Sequence, residues 1–193
     1  MTVEAPEAGT PAVEMLVPAT WLPLDLHPAT RVRNIAGLLD PAAPPEARRR
    51  AQVLLEATTY HAAKAGAALA YLFARVTEGG LASASLLVSV VGATAGAEET
   101  NPVPAAIAGA LAERYGGEAA ELPAGPAARV RRRQRVEPEG GLPGGEAELV
   151  YWYVPHETGQ CVAILAFSTP NVELGDEFGE AFDAIAGTLR WSL

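Results

Sequence analysis

Cysteine is almost absent from this chain of 193 residues, which contains only Cys161. One thiol cannot form a disulfide within the chain, so the sequence is unlike the small secreted domains held together by disulfides. Cys161 precedes the apolar run Val162-Ala163-Ile164-Leu165, and free cysteines are among the most buried residues in proteins. We therefore expect Cys161 to be a small core residue.

Long apolar segments are also missing. The first 15 residues, MTVEAPEAGTPAVEM, have neither the basic start nor the apolar stretch of a signal peptide. The longest apolar runs are far shorter than the roughly 18 to 20 residues that a membrane helix needs. We expect a cytoplasmic protein with a disordered tail over residues 1–11 and one domain over residues 12–193.

Motifs for catalysis and for metal or nucleotide binding are absent as well. The sequence has no G-x-S-x-G, Walker A or H-E-x-x-H pattern. A zinc site built on His156 and Cys161 would lack further ligands, and we expect His156-Glu157 to be a solvated turn. The glycines at 140, 141, 144 and 145 lie between two predicted antiparallel strands and open no helix, so they do not resemble a phosphate loop. We expect no metal and no cofactor.

Positive charge is scarce relative to negative charge. The formal net charge is −9 and the sequence pI is about 4.8, so the chain repels nucleic acid and anionic membranes at long range. We expect neither as a partner.

Hydrophobic patterning is abundant and predicts an α+β domain. It indicates strands at 13–17, 69–76, 81–91, 118–122, 127–136, 148–154 and 161–168, and helices at 31–39, 45–65, 102–115 and 173–191. The strands are joined by hairpins, with helices between groups of strands, which favours a mainly antiparallel sheet. Because strand 81–91 is apolar on both faces towards its end, we expect it to be central and covered on both sides.

The last predicted helix has the clearest amphipathic pattern. Its apolar face is made of Leu174, Phe178, Ala181, Phe182, Ile185 and Leu189, and we expect it to pack on the sheet. We expect its acids, Glu173, Asp176, Glu177, Glu180 and Asp183, to form a solvated face.

One strand carries an unusual row of arginines. With a period of two, the side chains of Arg129, Arg131, Arg133 and Arg135 point to the same face, and such like charges repel one another unless something neutralises them. Glu146 and Glu148 lie across the predicted hairpin, with Tyr151 and Tyr153 further along. One interpretation is a solvated face with weak cross-strand ion pairs. The other is a basic, aromatic-edged surface for an acidic protein, which includes a second copy of this chain.

Three segments carry a family resemblance that covers most of residues 13–191. VPATWLPLDL resembles the opening strand of the fold shared by the photosystem PsbP proteins, the Ran-binding Mog proteins and the mycobacterial Lpq lipoproteins. ELPAGPAARVRR, and VYWYVP with AILAFSTPNVELGDEFGEAFDAIAGTLRW, resemble the later strands and final helix of its actinobacterial members. The resemblance implies a PsbP-like sandwich, an antiparallel sheet with helices on both faces. It also implies binding or adaptor roles and assigns no site residue.

Together these features predict a non-catalytic, cytoplasmic protein-binding or adaptor domain. The predicted partner-binding residues are Arg129, Arg131, Arg133, Arg135, Tyr151 and Tyr153. The alternative is a small-ligand-binding protein or an enzyme whose pocket is built from scattered residues, which a deep, closed pocket with converging polar groups would mark. A third class, nucleic-acid binding through the arginine strand, would be marked by a strongly salt-dependent affinity.

Overall fold

The computed structural model describes residues 11–39, 41–77, 80–92, 103–137 and 144–192. In chain order the strands are β1 (Ala12–Glu14), β2 (Trp21–Pro23), β3 (Leu69–Thr77), β4 (Gly80–Gly92), β5 (Glu118–Leu122), β6 (Gly125–Val136), β7 (Gly145–Pro155), β8 (Cys161–Thr169) and β9 (Arg190–Ser192). The helices are α1 (Arg31–Leu38), α2 (Pro45–Lys64), α3 (Pro104–Tyr115) and α4 (Gly175–Ala186), the last preceded by a 3₁₀ turn at Val172–Leu174. The predicted tail lies outside the described residues except for Pro11.

Seven of the strands form one sheet, in the order β2-β3-β4-β8-β7-β6-β5. All neighbouring pairs are antiparallel, and β1 and β9 form a separate antiparallel ribbon. The predicted α+β class with a mainly antiparallel sheet is confirmed, as is the hairpin between β6 and β7.

Helices lie on both faces of this sheet, as expected. On one face, which we call the α4 face, Phe182, Ile185 and Leu189 pack against alternate residues of the central strands, among them Leu86, Leu165, Phe167 and Trp152. On the opposite face, which we call the α2–α3 face, Leu55 and Ala62 of α2 pack against Ala70, Leu72 and Leu87, while α3 lies over β5, β6 and β7. The alternation follows from the period of two in a strand, which sends Leu86 and Leu87 to opposite faces.

The last helix is shorter than the sequence pattern predicts. It ends at Ala186 rather than continuing to Trp191, because the Thr188 hydroxyl donates to the carbonyl oxygen of Ile185 (2.7 Å) and accepts from the amide of Leu16 (2.9 Å). The chain then pairs with β1 as β9. Leu189 is fully buried, as expected, but it lies beyond the helix.

Proline and glycine mark the start of one helix and the end of another. Helix α2 begins with Pro45, which has no amide hydrogen; nothing is lost, because the first turn of a helix leaves that group unpaired. Helix α3 ends at Tyr115 and is capped by Gly116, whose left-handed conformation (φ 69°) favours glycine.

Among the helices of the described residues, none is long and apolar enough to span a bilayer.

Candidate functional site

Strand β6 places its odd-numbered arginines on the α4 face, as the period of two predicts. Across the hairpin, Arg129 lies opposite Trp152, Arg131 opposite Val150, Arg133 opposite Glu148 and Arg135 opposite Glu146. The register therefore brings both predicted glutamates next to the arginine row. The four arginines differ in what they contact: Arg129, Arg131 and Arg133 form ion pairs within the chain, and Arg135 forms none with the described residues.

Arg129 is an internal connection between the sheet and α4. Its Nε donates to Asp183 Oδ1 (2.9 Å), and its Nη1 donates to Glu118 Oε1 (3.3 Å) on β5. The guanidinium carbon lies 5.9 Å from the Trp152 ring centre, and the indole Nε1 donates to the same Asp183 oxygen (3.2 Å). With 17% of its side chain exposed, Arg129 is already committed to its own chain.

Glu148 is a buried carboxylate shared by the next two arginines. It is 1% exposed and accepts hydrogen bonds from Nε of Arg131 and Nε of Arg133 (3.4 Å). Arg131 also donates from Nη2 to Asp176 Oδ1 at the start of α4 (2.7 Å). The hydrogen bonds to Glu148 and then to Asp176 raise the pKa of Arg131, and the bond from Arg131 holds the pKa of Asp176 below its ordinary value.

Helix α4 begins directly above this carboxylate. A Cβ on Gly175 would lie 2.9 Å from Cδ of Glu148 and still closer to one carboxylate oxygen, so a side chain at this position would have to displace the Glu148 carboxylate. A carboxylate beside the first turn of a helix is also favoured by the helix dipole. The prediction that the α4 acids form a solvated face fits Asp176, whose side chain is 88% exposed although it binds Arg131. It is wrong for Asp183, which is partly buried and binds Arg129. The pattern of a single helix cannot show that a basic strand lies beside it.

The outer half of β6 is different, because its six residues from Arg131 to Val136 are all exposed. Arg135 lies opposite Glu146, yet no carboxylate of the described residues is within ion-pair distance of Arg135 or of Arg132. These two guanidinium groups are the unneutralised part of the strand.

Tyr151 and Tyr153 lie on the α2–α3 face, so the structure does not bring them together with the odd-numbered arginines. They sit opposite Val130 and Ala128. The arginine beside them is Arg132, whose guanidinium carbon is 5.2 Å from the Tyr151 ring centre. Arg132 is not among the predicted contact residues, because the predicted row contains only the arginines of one strand face. The same period of two places Arg132 on the face of the odd-numbered tyrosines of β7.

The two tyrosines belong to a longer row on this face. The rings of Tyr151 and Tyr153 are 6.2 Å apart, and Tyr153 stacks on Tyr115 of α3 at 5.2 Å and 8°. The guanidinium carbon of Arg114 lies 5.6 Å from the Tyr115 ring centre. Burial, and then the neighbouring phenols, raise the pKa of Tyr153. This tyrosine row, Tyr115-Tyr153-Tyr151, thus has an arginine at each end.

Strand β6 also has an uncovered edge. Its outer neighbour β5 pairs with it only from Gly125 to Arg129. Strand β5 begins directly after Gly117, where an added Cβ would lie 2.6 Å from Cγ2 of Val130. From Arg131 to Val136, no described strand pairs with the outer side of β6. We call this stretch the open edge.

A separate cleft of about 620 Å³ lies beside the β1–β9 ribbon. Its lining is mostly apolar and includes Val13, Met15, Leu69 and Tyr71, together with Leu16, Glu14, Gly187, Thr188 and Arg190. The Thr188 hydroxyl donates to the carbonyl of Ile185, and Arg190 donates to the carbonyls of Gly187 and Leu189. The Thr188 hydroxyl and Nη1 of Arg190 are therefore already used within the chain.

The prediction that His156 lies in a solvated turn is wrong. His156 is 4% exposed, its Nδ1 is 2.9 Å from Oγ1 of Thr158, and its ring meets Trp191 of β9 edge-on at 4.8 Å. The β1–β9 ribbon carries Trp191 onto this turn, and no local pattern predicts that contact. Cys161 is buried, as expected, and burial raises the pKa of its thiol.

The described residues contain no group of three or more His, Cys, Asp or Glu side chains placed to hold a metal ion. Of the glycine-rich segment, Gly140 and Gly141 lie outside the described residues, and Gly145 is the first residue of β7.

No family model matches the sequence, and no curated protein matches it significantly. The chain is similar in structure to LpqN of Mycobacterium tuberculosis, whose crystal structure is described as that of a protein involved in cell envelope biogenesis. The identity is 11%, the TM-score is 0.49, and the match covers 97% of this chain and 87% of that one.

Proposed function

We propose that the protein is a non-catalytic binding or adaptor domain whose contact surface is the outer half of β6, Arg131 to Val136, and whose partner is an acidic protein. The observation that carries this proposal is the pair Arg132 and Arg135. Both are exposed and lack a carboxylate partner in the described part of a chain whose net charge is −9.

The division of the arginines supports this function. Arg129 binds Asp183 of α4, and Arg131 binds Asp176 of α4 and Glu148 of β7. These contacts join α4 to the sheet and give the two arginines a structural role. Arg132 and Arg135 form no ion pair within the described residues. Repulsion among the neighbouring arginines of this strand lowers stability slightly unless an anionic partner neutralises it.

The adjoining tyrosine row supports a protein rather than a small anion as the partner. Tyrosine and arginine are enriched at the centres of protein interfaces, where they supply rigid apolar area and hydrogen bonds. Tyr151 lies directly beside Arg132, so the exposed charge and the aromatic area are continuous on the α2–α3 face.

We also propose that the protein acts in the cytoplasm and is related to the PsbP-like proteins. The support for the second point is the set of sequence segments named above, in which Trp21 of VPATWLPLDL is a buried residue that contacts Phe73 and Phe182.

Charge reversal tests the binding surface. Arg132→Glu with Arg135→Glu should reduce the capture of partner proteins from a lysate of the source cells, most strongly at low ionic strength, because exposed interface charges mainly set the association rate. The matched control is Arg33→Glu with Arg49→Glu, which makes the same charge change at exposed positions of α1 and α2. Equal capture by all three proteins, with their folds intact, would overturn the proposal.

A further inference from the structure

We infer that the open edge of β6 binds an extended acidic segment of another protein by strand addition. This inference rests on the proposed function and specifies how the partner binds. The segment would continue the sheet beyond β5, pairing its backbone with Arg131 to Val136.

The first support is the difference in length between the two outer strands. Strand β6 has 12 residues and β5 has 5, so the six exposed residues at the end of β6 have a described partner strand, β7, on one side only. At about 3.4 Å per residue, this edge is about 20 Å long. Such an edge presents amide and carbonyl groups that can pair with another chain.

The second support is the positive charge of the open edge, which disfavours pairing with another basic strand. Four of its six residues are arginines, at positions 131, 132, 133 and 135. Any full-length pairing between two copies of this edge would place arginine opposite arginine, which is unfavourable. The charges therefore exclude a second copy of the same edge, as charged edges commonly do.

An acidic segment has the complementary pattern. Successive side chains of an added strand point to alternate faces, so acids at alternating positions would approach Arg133 and Arg135 on the α4 face, and an acid at an intervening position would approach Arg132 on the α2–α3 face. Main-chain hydrogen bonds would supply affinity and the arginines would supply specificity, which is the usual division in strand addition.

Two peptides of equal charge separate strand addition from simple charge attraction. The first alternates glutamate with threonine. The second alternates N-methylglutamate with proline, so it has no backbone N–H to donate to β6 in either register. We expect the threonine peptide to bind in fluorescence anisotropy and to slow amide hydrogen exchange across Arg131 to Val136, and the proline peptide to bind at least about tenfold more weakly, because several backbone hydrogen bonds are lost. The Arg132→Glu and Arg135→Glu variant should lose binding of the threonine peptide, while the Arg33→Glu and Arg49→Glu control keeps it.

The outcomes also distinguish this inference from the proposed function. Equal binding of the two peptides, or binding without protection of the β6 amides, would overturn strand addition and leave the acidic-partner surface in place. Failure of both peptides to bind would also overturn strand addition, and the lysate capture would then decide the proposed function by itself.

Discussion

Replacing Glu148 with alanine tests the structural half of the arginine strand. This carboxylate is almost completely buried and accepts from both Arg131 and Arg133, directly beneath Gly175 at the start of α4. The substitution removes the only described carboxylate that the two arginines share. It also leaves a small cavity under the helix.

The cost can be bounded from the exposure of the two arginines. Removing one partner of a fully buried ion pair costs about 3–5 kcal/mol, because the remaining charge is left without solvent. Here the side chains of Arg131 and Arg133 are 34% and 61% exposed, so water can take over part of their solvation, and Arg131 keeps Asp176. We therefore expect Glu148→Ala to lower the free energy of unfolding by about 2–4 kcal/mol.

The matched control lies two residues away on the same strand. Glu146 is exposed and lies opposite Arg135 without an ion pair in the described structure, so Glu146→Ala should change the unfolding free energy by no more than about 0.5 kcal/mol. Urea unfolding followed by circular dichroism measures both. A loss below about 1 kcal/mol for Glu148→Ala, or equal losses for the two variants, would refute the structural role assigned to the contacts of Glu148 with Arg131 and Arg133.

Two further predictions concern α4. Phe182→Ala should lower the free energy of unfolding by about 3–5 kcal/mol in the same assay, because this fully buried ring stacks on Phe167 at 4.7 Å. Phe178→Ala should cost less, since Phe178 is only half-buried. The reverse order would mean that the helix packs differently. The pKa of Asp176 should lie below its ordinary value in an NMR titration and rise in Arg131→Gln. Because the pKa of Asp176 is lower in the folded than in the unfolded state, the Arg131–Asp176 pair stabilises the fold at neutral pH, and this contribution is lost as the pH falls through the folded pKa. An unchanged pKa of Asp176 in Arg131→Gln would contradict the contact.

Local periodicity predicts a large part of this fold. Residues with a period of two define β3, β4, β6, β7 and β8, and the same period correctly puts the odd-numbered arginines on one face with Glu146 and Glu148 opposite them. These features depend on neighbours along the chain or across one hairpin, where the number of possible registers is small. The buried face of α4 is predicted for the same reason, except that Ala181 is exposed.

The features that the sequence analysis missed depend on contacts between distant segments. The β1–β9 ribbon joins residues from the two ends of the described chain, and it both ends α4 early and covers His156 with Trp191. Neither effect leaves a periodic pattern in the residues concerned. The pairing of Asp183 with Arg129 similarly joins residues that are 54 positions apart.

The functional division of β6 is the clearest case of this limit. Arginine occupies every odd-numbered position from 129 to 135, so nothing in the strand itself separates an arginine that is paired within the chain from one that is not. The separation comes from its neighbours. The short strand β5 pairs with β6 only up to Arg129, and Asp176 of α4 reaches Arg131. Arginines with and without an acidic partner therefore follow one another on the same strand. If the open edge binds an acidic strand, the site is defined by the length of β5 as much as by the arginines. Extending β5 along the edge should then abolish binding even with every arginine retained.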